Sequence, residues 1–212
     1  IYFQYSDTDT FALNGLSVKI NQGERIAIIG ENGSGKSTFV SLLTGLYDNY
    51  IGKISINGKD VCENLSALRN HITVMFQDFG HYEFTVKDNI LLGNLDKEVS
   101  DSDIYEAAEK ADAIKLIDSL QNNLDTNIGS FLDNGIYLSG GQWQKIALSR
   151  TFLNKDAKVV ILDEPTAALD PFSESAIYKR FLEKIDNQTA ILISHRLGAT
   201  KFADRILVFE DG

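Results

Sequence analysis

The sequence predicts an α/β fold: a parallel sheet core, a small antiparallel β part, and a helical lobe inserted between core strands. Three observations carry this. The runs "RIAIIG", "ITVMF", "KVVILD" and "AILIS" are continuously apolar, as strands buried on both faces are. Helical segments alternate with them, the pattern of a parallel sheet. Between the second and third runs, from about Thr85 to Asn154, the periodicity is helical and no buried-strand run occurs.

Length and composition set the bounds. A chain of 212 residues fits one domain, or one domain with an inserted lobe, and 43% hydrophobic residues suffice for a core. The net charge of -10 argues against general affinity for DNA, RNA or anionic lipid, which need clustered Lys and Arg. It leaves room for a small basic pocket for a phosphorylated ligand. The single cysteine, Cys62, allows no disulfide within the chain and fits a reducing setting. No stretch has the apolar length to cross a bilayer. Ile1 opens directly into a strand-like run and "RILVFEDG" ends the chain abruptly, so both ends are expected to be cut from something longer.

Taken in order, "IYFQY", "LSVKI" and "KISING" alternate like strands and are separated by turn residues such as Asn21-Gln22-Gly23 and Asn57-Gly58. They are expected to form the small antiparallel sheet. "STFVSLLTGL" reads as a helix after the first buried run. In "SDSDIYEAAEKADAIKLIDSL", Ile104, Ala108, Ala111 and Ile114 fall on one helix face, and Ser100 with Asp103 suggests a cap at its start. The expected division is residues 1–84 and 155–212 for the core and β part, and 85–154 for the helical insert, all within one domain of 212 residues.

"GENGSGKS", Gly30 to Ser37, matches G-x-x-x-x-G-K-[ST] between a buried strand and a helix, which is the context a phosphate loop demands. Gly33 and Gly35 let the backbone curl so that N–H groups converge on phosphate oxygens, and the following helix adds its positive end. Lys36 supplies charge for β- and γ-phosphates, and Ser37 a hydroxyl for Mg²⁺. Gly30, Asn32, Ser34 and Thr38 complete the expected cradle. The bland alternative, a glycine-rich turn with a chance Lys-Ser, does not account for the strand-loop-helix order. "KVVILDEP" ends a buried strand in Asp163-Glu164, where side chains of a parallel sheet reach the ligand crevice. Asp163 is placed to hold Mg²⁺, leaving Glu164 to polarise an attacking water as general base.

A second glycine-rich stretch, "LSGGQ", opens another helix. It has no lysine for a γ-phosphate. Ser139 and three backbone N–H groups at the helix start are expected to hold an anion from the opposite side of a nucleotide bound by a second copy. Two copies packed head to tail would give two such sites by symmetry.

The motif set, in this order, resembles the nucleotide-binding domain of an ABC transporter, over essentially the whole chain. "GENGSGKS" resembles the Walker A loop, Gln77 in "VMFQDF" the Q-loop glutamine, "LSGGQ" the family signature and "VVILDEP" Walker B with its catalytic Glu164. Ala168-Leu169-Asp170 resembles the D-loop, and His195 in "ISHRL" the switch histidine. The resemblance implies a P-loop NTPase fold with a RecA-like core, ATP and Mg²⁺ as ligands, and hydrolysis coupled to transport at the cytoplasmic face of a membrane. It implies Tyr5 stacked on adenine, with packing in the small sheet as the competing reading. It implies Gln77 on Mg²⁺ or the water, and His195 holding the γ-phosphate, Glu164 and the water in line. Ser139, Gly140, Gly141 and Gln142 would act in trans, with Asp170 at the dimer interface. Ala167 departs from the pattern, since many members have Ser there. The aromatic "FGHYEFTV" after Gln77 serves either the core or, by the resemblance, the docking of a membrane domain along the Gln77 to Val86 segment. His71 and His81 lack partners at ligand spacing, and Trp143, Met75 and Cys62 read as packing residues.

Among function classes, a simple P-loop kinase leaves "LSGGQ" unexplained. DNA-repair ATPases of this type carry long insertions for which there is no room, ribosomal ones usually carry two cassettes, and the acidic balance disfavours nucleic acid. "SHRL" and "FQY" resemble exporters. "GSFLDNGIYLSGGQWQKIALSR" resembles most the exporters of bacteriocins and lantibiotics, with lipid or multidrug export as the alternative. The partners implied by the resemblance are a second copy of the cassette, in a homodimer, and a membrane-spanning domain.

Overall fold

The computed structural model describes residues 1–61, 65–129, 134–165, 171–185, 187–194 and 198–212. It forms two compact units, Ile1–Val74 with Ala157–Gly212, and Met75–Asp156.

The first unit is built on a five-stranded sheet in the order β6-β7-β8-β3-β9. These are β3 (Arg25–Gly30), β6 (Ile72–Met75), β7 (Val159–Asp163), β8 (Thr189–Ile193) and β9 (Arg205–Phe209). Pairing of β3 with β8, β3 with β9 and β7 with β8 is parallel. The continuously apolar runs occupy the interior: every residue of β8 is buried, and Ile26, Ala27 and Ile28 of β3 are fully buried. β9 lies at the edge and alternates instead, with Val208 70% exposed and Phe209 buried. Helix α1 (Lys36–Leu43) packs on β3 and β7. Helix α7 (Pro171–Lys184) buries Tyr178, Phe181 and Leu182, and the Tyr178 hydroxyl donates to the Ile193 carbonyl at 3.3 Å.

The antiparallel part is smaller than the alternation suggests. β1 (Tyr2–Phe3) pairs with β2 (Leu13–Asn14), and β4 (Ser55–Ile56) with β5 (Lys59–Asp60). The latter hairpin turns on Asn57 and Gly58, both at positive φ (51° and 78°), the geometry of a type I′ turn. "LSVKI" forms no strand. Leu16, Val18 and Ile20 are half-buried and alternate with exposed residues; Leu16 exchanges backbone bonds with Ile1, at 3.0 and 2.7 Å, but among the described residues no ladder continues beyond it.

In the second unit the regular elements are helices: α3 (Val86–Leu91), α4 (Asp101–Lys110), α5 (Ile114–Ser119) and α6 (Gly140–Leu153), with a 3-10 turn at Asn123–Asp125. Helix α2 (Leu65–His71) belongs to the first unit. Ser100 caps α4 in a reciprocal box: its hydroxyl accepts from the Asp103 N–H at 3.3 Å, and the Asp103 carboxylate accepts from the Ser100 N–H at 3.0 Å. The helix expected to run on through Ala111 and Ile114 instead ends at Ala111. Asp112 adopts φ 56°, its N–H donates to the Glu109 carbonyl, and the Ala113 N–H donates to the Ala108 carbonyl. That bond pair is a Schellman ending, formed here on Asp rather than Gly. Helix α6 is buried around most of its girth, by Trp143, Ile146, Ala147, Ser149, Phe152 and Leu153, and packs on α4 and α3. Gly93, after α3, lies so close that a Cβ there would sit 2.1 Å from the Arg150 carbonyl oxygen.

Candidate functional site

Register brings the phosphate loop and the acidic strand end to one level. Ile193 of β8 pairs with Ile28 of β3 on one side and Asp163 of β7 on the other. The Glu164 N–H then donates to the Ile193 carbonyl at 3.0 Å, and the Ser194 N–H to the Ile28 carbonyl at 3.1 Å. The three strands therefore end together, with the Gly30–Ser37 loop beyond β3 and the carboxylates beyond β7. Helix α1 starts at the end of the loop and packs on both β3 and β7, which brings Ser37 near enough to influence the Asp163 carboxyl.

Inside the loop, Lys36 is 6% exposed, and its ammonium donates to the Gly30 and Glu31 carbonyls at 2.9 and 2.7 Å. The cation is thereby held at the centre of the curl. Gly35 caps α1 at φ 96°, and a Cβ there would meet the Ala12 carbonyl oxygen at 2.5 Å. Gly33, at φ 85°, faces open space. One glycine thus closes the helix onto the loop while the other leaves the concave side clear. The Ser34 hydroxyl and Asp163 Oδ1 are buried without a hydrogen-bond partner.

Asp163 is 2% exposed. Burial pushes its carboxyl above the ordinary carboxylate range; the nearby Ser37 hydroxyl opposes this, Glu164 reinforces it, and Lys36 opposes it. Glu164 is half-exposed and adopts φ 45°, unusual for a residue with a side chain, so the backbone turns sharply where the strand ends. Adjacent carboxylates thus occupy different environments, one buried against α1 and one reaching outward.

Tyr5 is half-buried. Its hydroxyl lies 3.0 Å from the Thr38 hydroxyl, and its ring meets Phe3 and Tyr47 edge-on at 4.9 and 5.5 Å. The aromatic cluster fixes the ring beside the first turn of α1. Tyr47 was not singled out from sequence, though its place shortly after α1 is the signal that would have found it.

The remaining predicted residues belong to the second unit or lie outside the described residues. Gln77 is exposed on a bend after β6. Ser139, Gly140 and Gly141 form the exposed head of α6, and a Cβ on either glycine would meet nothing within 4 Å. Ser139 makes a capping box with Gln142: its hydroxyl accepts from the Gln142 N–H at 3.3 Å, and the Gln142 side chain accepts from the Ser139 N–H at 2.8 Å. Of the three N–H groups expected to be available to an anion, that of Gln142 is therefore already engaged. The Ser-x-x-Gln spacing is the sequence signal for this box. His81 is exposed and stacks on the buried Trp143 at 4.6 Å. Cys62, Ala167, Ala168, Leu169, Asp170 and His195 lie outside the described residues. No helix among the described residues is long and apolar enough to cross a membrane, and no group of metal-ligating side chains occurs among them by proximity alone.

A family model described as ABC transporter matches residues 13–167. The chain belongs to the ABC transporter family. It is an ATPase domain of that family, with a P-loop NTPase fold. It is 43% identical to the subtilin transport ATP-binding protein SpaT of Bacillus subtilis, over 100% of this chain and 34% of that protein. It is 40% identical to the nisin transport ATP-binding protein NisT of Lactococcus lactis subsp. lactis, over 99% of this chain and 35% of that protein. Identity to the ATP-dependent lipid A-core flippase of Escherichia coli (strain K12) is 41%, over 100% and 36%. The solved structure of a bacterial Atm1-family ABC exporter with ATP bound superposes with a TM-score of 0.88 at 34% identity, covering 100% of this chain and 36% of that one. The chain thus spans about a third of the length of these relatives.

Two predictions follow from the loop and the buried acid. Gly35→Ala forces a side chain against the Ala12 carbonyl at an unfavourable φ, and should cost about 1–3 kcal/mol in urea unfolding. For Asp163, the unfolded chain releases the proton first as pH rises through the ordinary carboxylate range. Stability therefore falls from there until the raised folded pKa is passed, and stays lower at neutral pH. Asp163→Asn removes that loss. The nucleotide-free variant should melt at a higher temperature than the native chain at neutral pH, with the gap closing below the ordinary carboxylate range; a lower melting temperature at neutral pH would contradict the assignment.

Proposed function

We propose that the chain is the ATP-hydrolysing motor of an ABC exporter, working as a head-to-tail pair at the cytoplasmic face of a membrane. Each ATP would lie between the Gly30–Thr38 loop of one copy and the Ser139–Gln142 segment of the other. The observation that carries the reading is the meeting of loop and acid at the level ends of β3 and β7: a buried Asp163 carboxylate, with one oxygen lacking a hydrogen-bond partner among the described residues, within electrostatic reach of Ser37 and the Lys36 ammonium. That donor set is hard, oxygen-rich and anionic, which fits Mg²⁺. Ser37 and Asp163 would hold the ion, with Gln77 as a further oxygen donor. When bound, it supplies charge neutralisation on the β- and γ-phosphates.

The chain's own groups do the rest. Lys36 and the loop N–H groups orient the phosphates. Glu164, free of the burial that holds Asp163, accepts a proton from the attacking water as its oxygen bonds to the γ-phosphorus and the bond from that phosphorus to the bridging β–γ oxygen breaks, with ADP and inorganic phosphate as products. His195 steadies the γ-phosphate and that water. Ser139 and the Gly140 and Gly141 N–H groups close the far side, with Asp170 at the interface of the two copies. Tyr5, held edge-on by Phe3 and Tyr47, offers its ring to adenine. In this reading residues 1–84 and 155–212 form the nucleotide core and 85–154 the helical insert. A membrane-spanning domain docks along the Gln77 to Val86 segment, where Tyr82 and Phe84 are 44% and 48% exposed. Export of a peptide such as a bacteriocin or lantibiotic is supported by the likeness to SpaT and NisT, and lipid export by the nearly equal likeness to the lipid A-core flippase.

Glu164→Gln should retain ATP binding but lower turnover at least about 100-fold, with accumulation of an ATP-bound dimer in size-exclusion chromatography. Turnover at the native rate would remove Glu164 from its role. Ser139→Arg should leave ATP binding by the single chain intact yet abolish turnover, and Lys36→Ala should lose ATP binding. Mixing the two inactive variants should restore part of the activity, because one intact composite site forms in the mixed pair. No recovery at any mixing ratio would refute sharing of the nucleotide between copies.

A further inference from the structure

The segment after Gln77 has no regular secondary structure from Phe76 to Phe84. It is nevertheless held in place, by side chains from two helices of its own unit. Arg150, near the C-terminal end of α6, donates from Nη1 to the Gly80 carbonyl at 2.8 Å, from Nε to the Asn89 carbonyl at 2.9 Å and from Nη2 to Asn89 Oδ1 at 2.6 Å. Its guanidinium also lies 5.0 Å from the Tyr82 ring centroid. Asn89 of α3 is fully buried, and its Nδ2 donates to the Tyr82 and Thr85 carbonyls, both at 2.9 Å.

The chemistry of this arrangement is unusual. Burial works against the Arg150 charge, yet its hydrogen-bond partners among the described residues are amide oxygens rather than a carboxylate. A planar fork reaching three oxygens at once is suited to fixing a backbone path. It supplies the bonds that a helix or sheet would otherwise supply. Above it, Tyr82 and Phe84 stand as a nearly parallel, exposed pair at 6.2 Å. A second tether is made of backbone alone. The Ile128 N–H donates to the Phe84 carbonyl at 2.9 Å, and the Val86 N–H to the Thr126 carbonyl at 3.0 Å. The Gly129 N–H then donates to the Ile136 carbonyl at 2.8 Å, a few residues before Ser139.

We propose that Arg150 and Asn89 are positioning residues that clamp the Gly80–Phe84 segment to α6, so that the Tyr82–Phe84 aromatic step and Ser139 at the head of the same helix move as one body. Neither residue touches nucleotide. In the exporter reading on which the consequence rests, a pull on Ser139 by a partner's ATP displaces the membrane-facing aromatics by the same rigid motion. Arg150 lies in the same unbroken helix that Ser139 caps, so the two points are about 16 Å apart with no joint between them.

Hydrogen exchange on the whole 212-residue chain tests the clamp. In Arg150→Lys, a single ammonium cannot serve the three oxygens. The Phe84 and Ile128 amides, bonded to the Tyr82 and Phe84 carbonyls, should exchange at least about tenfold faster while the α4 amides keep their native rates. Asn89→Asp, which keeps an oxygen for Arg150 but loses both Nδ2 donors, should do the same and serves if the first variant does not fold. Native rates at Phe84 and Ile128 in both variants would overturn the proposal. So would a uniform acceleration through α4, which would make the pair merely structural. Transmission is read in the Glu164→Gln background with Mg-ATP: the Gly140 and Gly141 amides and the Phe84 amide should gain protection together, and adding Arg150→Lys should leave only the first gain. Parallel gains despite Arg150→Lys would refute the lever. No gain at Gly140 and Gly141 even with the clamp intact would count against the shared site instead, leaving the clamp to be judged on the nucleotide-free comparison.

Discussion

The level ending of β3 and β7, which brings the phosphate loop and the Asp163 carboxylate to one edge of the sheet, is the constraint on which the rest of the first unit depends. A loop that concentrates positive potential and a strand that ends in a carboxylate are of little use unless they face the same ligand. The chain achieves this by placing β8 between β3 and β7 in level register and by leaning α1 across the strand ends. A one-residue slip of β7 would turn Asp163 to the opposite face of the sheet and break that arrangement. The continuous apolar runs of β3, β7 and β8 do not by themselves fix that register, since they are buried on both faces. The backbone bonds from Glu164 to Ile193 and from Ser194 to Ile28 do.

That precision has a cost in stability. A carboxylate taken out of water with one oxygen unpartnered is a destabilising feature. Next to it, Glu164 sits in a left-handed backbone conformation that a side chain resists. Both lie at the point where the phosphate loop and the strand ends meet, and nowhere in the apolar interior of the same sheet. In this sheet the strained turn and the buried acid sit together where an added cation and a phosphate would relieve them.

Much of this was legible in the sequence. The buried runs became sheet strands, the glycine-rich loop became the turn between β3 and α1, and Ser100 with Asp103 became a capping box, because each depends on local pattern. What was missed depends on distant partners or on atypical residues. "LSVKI" alternates like a strand, but its pairing stops at the one residue, Leu16, that meets Ile1. The α4 helix ends on Asp112 in a conformation usually given to glycine or asparagine, so no breaker announced it. Ser139 and Gln142 carry the spacing of a capping box, which stands beside the anion-holding role expected of the same segment. Arg150 and Asn89 have no motif at all; their role appears only when α3 and α6 are packed. Of the site residues, the loop, Asp163 and Tyr5 are brought together in the first unit, Gln77 and the Ser139 segment lie in the second, and Asp170 and His195 fall outside the described residues.

The capping box at the head of α6 also selects by direction. Because the Ser139 oxygen already receives the Gln142 N–H on one lone pair, its hydroxyl proton is available to an incoming acceptor. The adjoining glycines present N–H groups. The tip therefore offers mainly donors and suits a ligand rich in acceptors. A fully ionised phosphate meets that requirement on each of its free oxygens, whereas a protonated or amine-bearing group meets it poorly. Polarity of the hydrogen bond, set by one glutamine inside the same helical turn, thus filters ligands before net charge is counted.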